Sequence, residues 1–272
     1  MNRRISEKNR RSWNDYSEAY ARHNHAPGML NRILADPSSA FHRGVWALIR
    51  QYLPTLAGRA VCVPSSGDNL AVLAFALLGA QVTSCDISEN QLSHARLAAE
   101  RMGLSARISF VRTDTMTLAG VPDSAFDFVY ISNGVHVWID DLPAMYQSLH
   151  RVLKPGGFYL MYDIHPFQRP FNQAAQIVKP YEETGPYEDE HNVSFTWRVQ
   201  DILNAMLDAG LQLMHMDELS AEKDYDDPFW VPNDALVAGA AFSPEEVDRM
   251  YDWRHNPMAA LPNWLCLAAR KP

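Results

Sequence analysis

The chain has 272 residues, 47% hydrophobic and 21% charged, with a formal net charge of -8. Such a length and composition fit one large globular domain, or one with a small addition, that buries a sizeable core without disulfides or metals. The acidic balance disfavours non-specific binding to nucleic acid or anionic lipid.

In chain order, the basic start MNRRISEKNRR has no apolar core behind it and reads as a solvated terminus rather than a secretory signal. Residues 12–50 look helical, with Trp13, Tyr16 and Tyr20 on one face. From 59 to about 163, apolar strands alternate with helical patterns. RAVCV is a strand, NLAVLAFALLG an apolar and therefore buried helix, and QVTSCD a strand ending on Asp86. A helix over ENQLSHARLAAERMG follows, with Ser88 as its N-cap and Gly103 at its end. ARISFVRTD ends on Asp114 and FDFVYIS ends near Asn133. DDLPAMYQSLHRVL is helical, KPGG stops it, and FYLMYD is a fifth strand ending on Asp163. TWRVQDILNAMLDAG is an amphipathic helix, LQLMHMDEL a strand, FSPEEVDRMYDWRH a short helix and NWLCLAAR a last strand. Residues 165–194 and 220–262 are irregular, aromatic-rich excursions.

No apolar run reaches the roughly 18 residues of a membrane span, so no membrane association and a cytoplasmic location are expected. Cys62, Cys85 and Cys266 each sit in a short apolar stretch outside any CxxC pair. They read as buried spectator thiols, and no metal site is expected.

Alternating strands and helices imply βαβ units on a parallel sheet, whose ligands bind beyond the carboxyl ends of the strands. Here those ends carry the PSSGD loop, Asp86, Asp114, Asn133 and Asp163. The first loop feeds a helix N-terminus, where free N–H groups and the helix dipole attract a negative group. Ser65, Ser66 and Asp68 can equally cap those N–H groups, so the loop by itself reads as cofactor cradle or as capped turn. Asp86 follows it by about 20 residues, the spacing at which a carboxylate meets ribose hydroxyls.

The whole run from 59 to 163 resembles the class I S-adenosylmethionine-dependent methyltransferases. VCVPSSGDN stands where their glycine-rich first motif lies, TSCDIS resembles their ribose-binding motif, and RTDTM resembles the motif touching adenine. FDFVYISNGVHVW and RVLKPGGF fall where their fourth and fifth strands do. The resemblance implies a Rossmann-like, doubly wound, mostly parallel seven-stranded sheet with helices on both faces and its last strand antiparallel. Residues 51–272 would form the methyltransferase domain and residues 1–50 a helical cap, with the two excursions as a substrate lid or a homodimer contact.

It also implies roles. Asp86 would bind the ribose hydroxyls of S-adenosyl-L-methionine. Ile87 would pack on the adenine, Asp114 would meet its amine, and Thr115 and Met116 would flank it. Pro64, Ser65, Ser66 and Gly67 would approach the methionine part, Asn133 and Gly134 the sulfonium. Trp13, Tyr16 and Tyr20 would close over the cofactor. This sequence departs from the family pattern at Cys62, usually acidic, and at Pro64, Ser66 and Asp68, usually glycine.

Methyl transfer from a sulfonium releases a neutral thioether and asks mainly for alignment and exclusion of water. His136, just beyond the fourth strand, is the candidate catalytic residue, with Trp138 and His165 beside it on the substrate side. A small-molecule acceptor is expected. The alternatives are a scaffold that binds the cofactor without turnover and, less well supported for want of a GxGxxG loop, an NAD(P)-dependent oxidoreductase.

Overall fold

The computed structural model describes residues 2–172, 174–223, 229–231, 235–236 and 238–272. The expected αβ alternation is present. The chain opens with α1 (Arg3–Asn24), α2 (Pro27–Ala35), a 3-10 turn (Pro37–Ala40) and α3 (Arg43–Tyr52). Then come β1 (Ala60–Val63), α4 (Leu70–Leu77), β2 (Gln81–Asp86), α5 (Glu89–Arg101), β3 (Ile108–Arg112) and β4 (Phe126–Ser132). After α6 (Leu142–Val152) and β5 (Leu153–Ile164), a small hairpin of β6 (Tyr187–Glu188) and β7 (Val193–Ser194) leads to α7 (Val199–Asp208). The chain continues through β8 (Gln212–Leu219) and α8 (Pro244–Tyr251) to β9 (Trp264–Arg270).

Seven strands form one sheet in the order β3-β2-β1-β4-β5-β9-β8. All neighbours from β3 to β5 are parallel, and β9 runs antiparallel to both β5 and β8. Strand order reverses at β1, so the crevice beyond the carboxyl ends of β1 and β4 is the natural ligand position.

Strand residues alternate between two cores because successive side chains point to opposite faces. Val61, Phe128, Tyr130, Leu160 and Tyr162 pack with α3 and α4 on one face. Cys62, Val129, Ile131, Tyr159 and Met161 pack with α6 and α7 on the other. The apolar helix α4 is buried on nearly every side, and all three cysteines are buried.

The helix before KPGG stops at Val152, as expected, but the next strand starts earlier than FYLMYD: β5 begins at Leu153 and runs through KPGG, with a register shift against Phe126–Phe128 that absorbs the glycines. Within residues 1–50, Val45, Leu48 and Ile49 of α3 and Ile33 of α2 belong to the core on the sheet, while α1 and the Met29 and Arg32 side of α2 line the crevice. Among the described residues no helix is long and apolar enough to cross a membrane.

Candidate active site

The first loop is held by β2. Ser66 donates its N–H to the Cys85 carbonyl (2.9 Å), and its Oγ meets Ser84 Oγ (2.7 Å). Gly67 donates its N–H to Asp86 Oδ2 (2.8 Å). Gly67 has φ +50°, and a Cβ there would lie 2.2 Å from Gln91 Oε1. Ser65, also left-handed at φ 46°, turns its Oγ to Thr115 Oγ1 (2.7 Å). The α4 N-cap is Asn69, whose Oδ1 accepts the Ala71 N–H (2.9 Å). The capping expected of Ser65, Ser66 or Asp68 therefore falls to Asn69.

Asp86 ends β2 and is buried. Its second oxygen accepts the Ser88 N–H (2.8 Å). Burial pushes its pKa up to about 6, against the two backbone hydrogen bonds. Asp114, just past β3, accepts the Met116 N–H (2.8 Å) on one oxygen and Ser6 Oγ of α1 (2.7 Å) on the other. Asp68 is buried with its pKa raised by that burial. Its Oδ1 accepts from Asn24 Nδ2 (3.1 Å), and its Oδ2 has no partner among the described residues.

These groups open on a single cavity of about 370 Å³. Ser65, Ser66, Gly67, Asp86, Ile87, Asp114, Thr115, Met116, Asn133 and Gly134 line it, as do Tyr20, Trp13 and Trp138. Trp13 stands edge-on to Tyr20 (5.5 Å) and to Trp138 (5.3 Å), so α1 roofs the cavity with a chain of rings. Asn133 (φ 67°) and Gly134 (φ 86°) make a left-handed turn straight after β4.

Three expected residues lie elsewhere. Pro64 is buried at the loop's start and does not reach the cavity. Tyr16 is 41% exposed on the outer side of α1, against the His191 ring. His136 is buried behind the cavity wall. Its Nδ1 meets Asp163 Oδ2 (2.6 Å), its Nε2 meets the Tyr146 hydroxyl (2.9 Å), and its N–H donates to the same Asp163 oxygen (3.0 Å). Burial would raise the Asp163 carboxyl, but the His136 hydrogen bond and charge hold it below the usual range. With both ring nitrogens engaged, His136 braces the 133–138 turn instead of facing an acceptor. His165 is likewise taken up, by Glu218 (2.9 Å).

Sequence reasoning missed Ser6, Asn24, Arg32, Gln91 and Trp264, which also line the cavity. Polar residues on an amphipathic helix read as a solvated face, and only the long-range fold turns them inward. Among the described residues no cluster of His, Cys, Asp and Glu is placed to hold a metal ion.

Residues 64–161 match the family model of a methyltransferase domain. That match makes this stretch of the chain similar to methyltransferase domains. A sterol 24-C-methyltransferase of Gibberella zeae is 32% identical over 163 residues, 58% of this chain and 40% of that protein. The chain thus spans well under half the length of that relative. A tRNA 5-carboxymethoxyuridine methyltransferase of Escherichia coli O157:H7 is 25% identical over 76% of this chain and 77% of its own. Among solved structures, an S-adenosylmethionine-dependent methyltransferase from Mesorhizobium loti superposes with a TM-score of 0.60 at 24% identity, covering 83% of this chain and 96% of that one. Geranyl diphosphate C-methyltransferase from Streptomyces coelicolor A3(2), solved with Mg2+, geranyl diphosphate and S-adenosyl-L-homocysteine, gives 0.62 at 14% identity, covering 98% of each chain. At these identities the structural likeness is one of fold. The matched stretch begins at the Pro-Ser-Ser-Gly-Asp loop, which Ser66 and Gly67 tie to β2.

Proposed function

We infer that the protein transfers a methyl group from S-adenosyl-L-methionine to a small-molecule acceptor. The observation carrying this is that Asp86 and Asp114, at the ends of adjacent strands, open on the same cavity as the first loop. Backbone N–H groups fix each carboxylate in place and leave lone pairs for further donors. Asp86 then accepts the ribose hydroxyls and Asp114 the adenine amine, with Ile87, Thr115 and Met116 flanking the base. The free oxygen of Asp68 suits the methionine ammonium.

When bound, the cofactor supplies a sulfonium methyl for in-line displacement. The protein's part is to align the acceptor past Asn133 and Gly134 and to keep water out beneath Trp13, Tyr20 and Trp138. Phe229, Val231 and Leu236 bring the second excursion to the cavity wall, which supports its reading as a lid. Tyr225 lies outside the described residues. No described residue of 165–194 lines the cavity; the exposed Phe167, Ile177 and Val178 suit a contact between two copies instead. The net charge of -8 favours a small acceptor over nucleic acid, and a cytoplasmic location completes the reading.

Titration calorimetry with S-adenosylmethionine and S-adenosylhomocysteine tests it. Both should bind the wild type; Asp86→Ala should weaken them by about 100-fold, the equivalent of two charged hydrogen bonds, and Gly67→Val should abolish binding because a side chain there meets Gln91 in a left-handed backbone. No binding at millimolar concentration sinks the reading. Binding without S-adenosylhomocysteine release across an acceptor screen would leave a scaffold.

A further inference from the structure

We propose that the outer part of the cavity receives a small apolar molecule carrying an anionic group, with that group held by Arg32. The assignment rests on the methyltransferase reading and extends it from the reaction to the acceptor.

The cavity wall is divided by residue type. Asp68, Asp86, Asp114 and the serine loop make the cofactor part acidic and polar. Ile164 lies against Gly134 and pairs with Trp264 across β5 and β9, and Met29, Leu70, Phe229 and Leu236 add apolar side chains to the same cavity. Phe229 stands edge-on to Trp264 at 5.0 Å, forming an aromatic corner. Such a wall fits an apolar body, and a few polar groups then fix its orientation.

Arg32 is the polar group that stands out. It is the one lysine or arginine among the described lining residues. It sits three residues after Met29 on α2, so the two share a helix face. Its Nε is shut off from solvent with no hydrogen-bond partner among the described residues, so its two Nη groups are the donors open to a ligand. Its guanidinium makes no ion pair among the described residues, whereas Arg10, Arg151 and Arg198 are each paired with a carboxylate. A guanidinium at a cavity wall with no carboxylate beside it leaves its charge to be matched by a ligand. A planar guanidinium matches a carboxylate or phosphate with two parallel hydrogen bonds. The cofactor's amino-acid carboxylate has the same chemistry, so the test separates the two sources.

Ligand-observed NMR on protein saturated with S-adenosylhomocysteine would compare hexanoate, hexanol and hexylamine, which share a tail and differ in head charge. Hexanoate should bind about tenfold tighter than hexanol, and hexylamine should bind more weakly than either. Arg32→Met should weaken hexanoate by about tenfold, leave hexanol unchanged, and leave S-adenosylhomocysteine affinity within about twofold in calorimetry. Arg32→Lys, which keeps the charge but not the fork, should recover part of the loss. Equal binding of the three probes overturns the proposal. So does a loss of S-adenosylhomocysteine affinity in Arg32→Met with hexanoate unaffected, which would give Arg32 to the cofactor. Absence of S-adenosylhomocysteine binding in the wild type overturns the underlying methyltransferase reading as well.

Discussion

Asp86 is buried at the end of β2 with a backbone N–H on each oxygen, yet burial still pushes its pKa up to about 6. In the unfolded chain a carboxyl of this kind titrates near about 3.9. Raised in the native state, it favours folding fully below about pH 4, and that advantage is lost as the pH rises to about 6. Ligand hydroxyls act in the opposite sense, since they need the ionised oxygens. S-adenosylhomocysteine affinity should therefore be level above about pH 7 and fall about tenfold per unit below pH 6. Calorimetry across that range checks this, with Asp86→Asn expected to bind weakly and without that pH dependence. Asp86, Asp114 and Gly67 were legible in the sequence because a strand end fixes where the next residue points. His136 was not. The left-handed pair Asn133 and Gly134 swings it inward to Asp163, 27 residues away, and no local pattern carries such a partner.

The element that completes the cavity, α1, is held by a distant part of the chain. Asn9 Nδ2 donates to the Val193 carbonyl (2.9 Å), and its Oδ1 accepts the Val193 N–H (2.8 Å). Ile5 packs with Val193 and Phe195, and Arg4 and Lys8 pair with Glu188. The first excursion is thus a brace for α1, which its irregular, Pro- and Gly-rich sequence did not disclose. Asn9→Ala strands both Val193 backbone groups, at a cost of about 1–3 kcal/mol. Hydrogen exchange in residues 3–24 should quicken by about tenfold or more while the sheet amides stay protected. S-adenosylhomocysteine should bind more weakly, because Ser6 then no longer stays on Asp114. Unchanged exchange in α1 would show that other contacts hold it. Helices and strands with clear periodicity were legible, and so was KPGG as the stop of α6; the early start of β5 was not, because a register shift is a property of two strands and only one is visible at a time.

At the scale of the molecule, the acidic groups of the cavity are collected by the sheet and covered by α1, so a ligand that satisfies them stabilises the whole fold. S-adenosylhomocysteine at a hundred times its Kd should add about 2.7 kcal/mol. For a chain of this size that raises the Tm by about 5–10 °C in a thermal melt. No rise would mean that the cavity does not take the cofactor in the native state. The two cores were readable from the alternation of apolar strands with helices, but the order of the strands was not, except through the resemblance. That order has a consequence for synthesis. β8 is made before β9, yet β9 is the strand that joins it to β5. As the chain leaves the ribosome, β8 precedes its partner strand by some forty residues, α8 among them. The sheet closes only when residues 264–270 enter between β5 and β8, both made earlier, so the place of β8 depends on a strand that follows it in the chain.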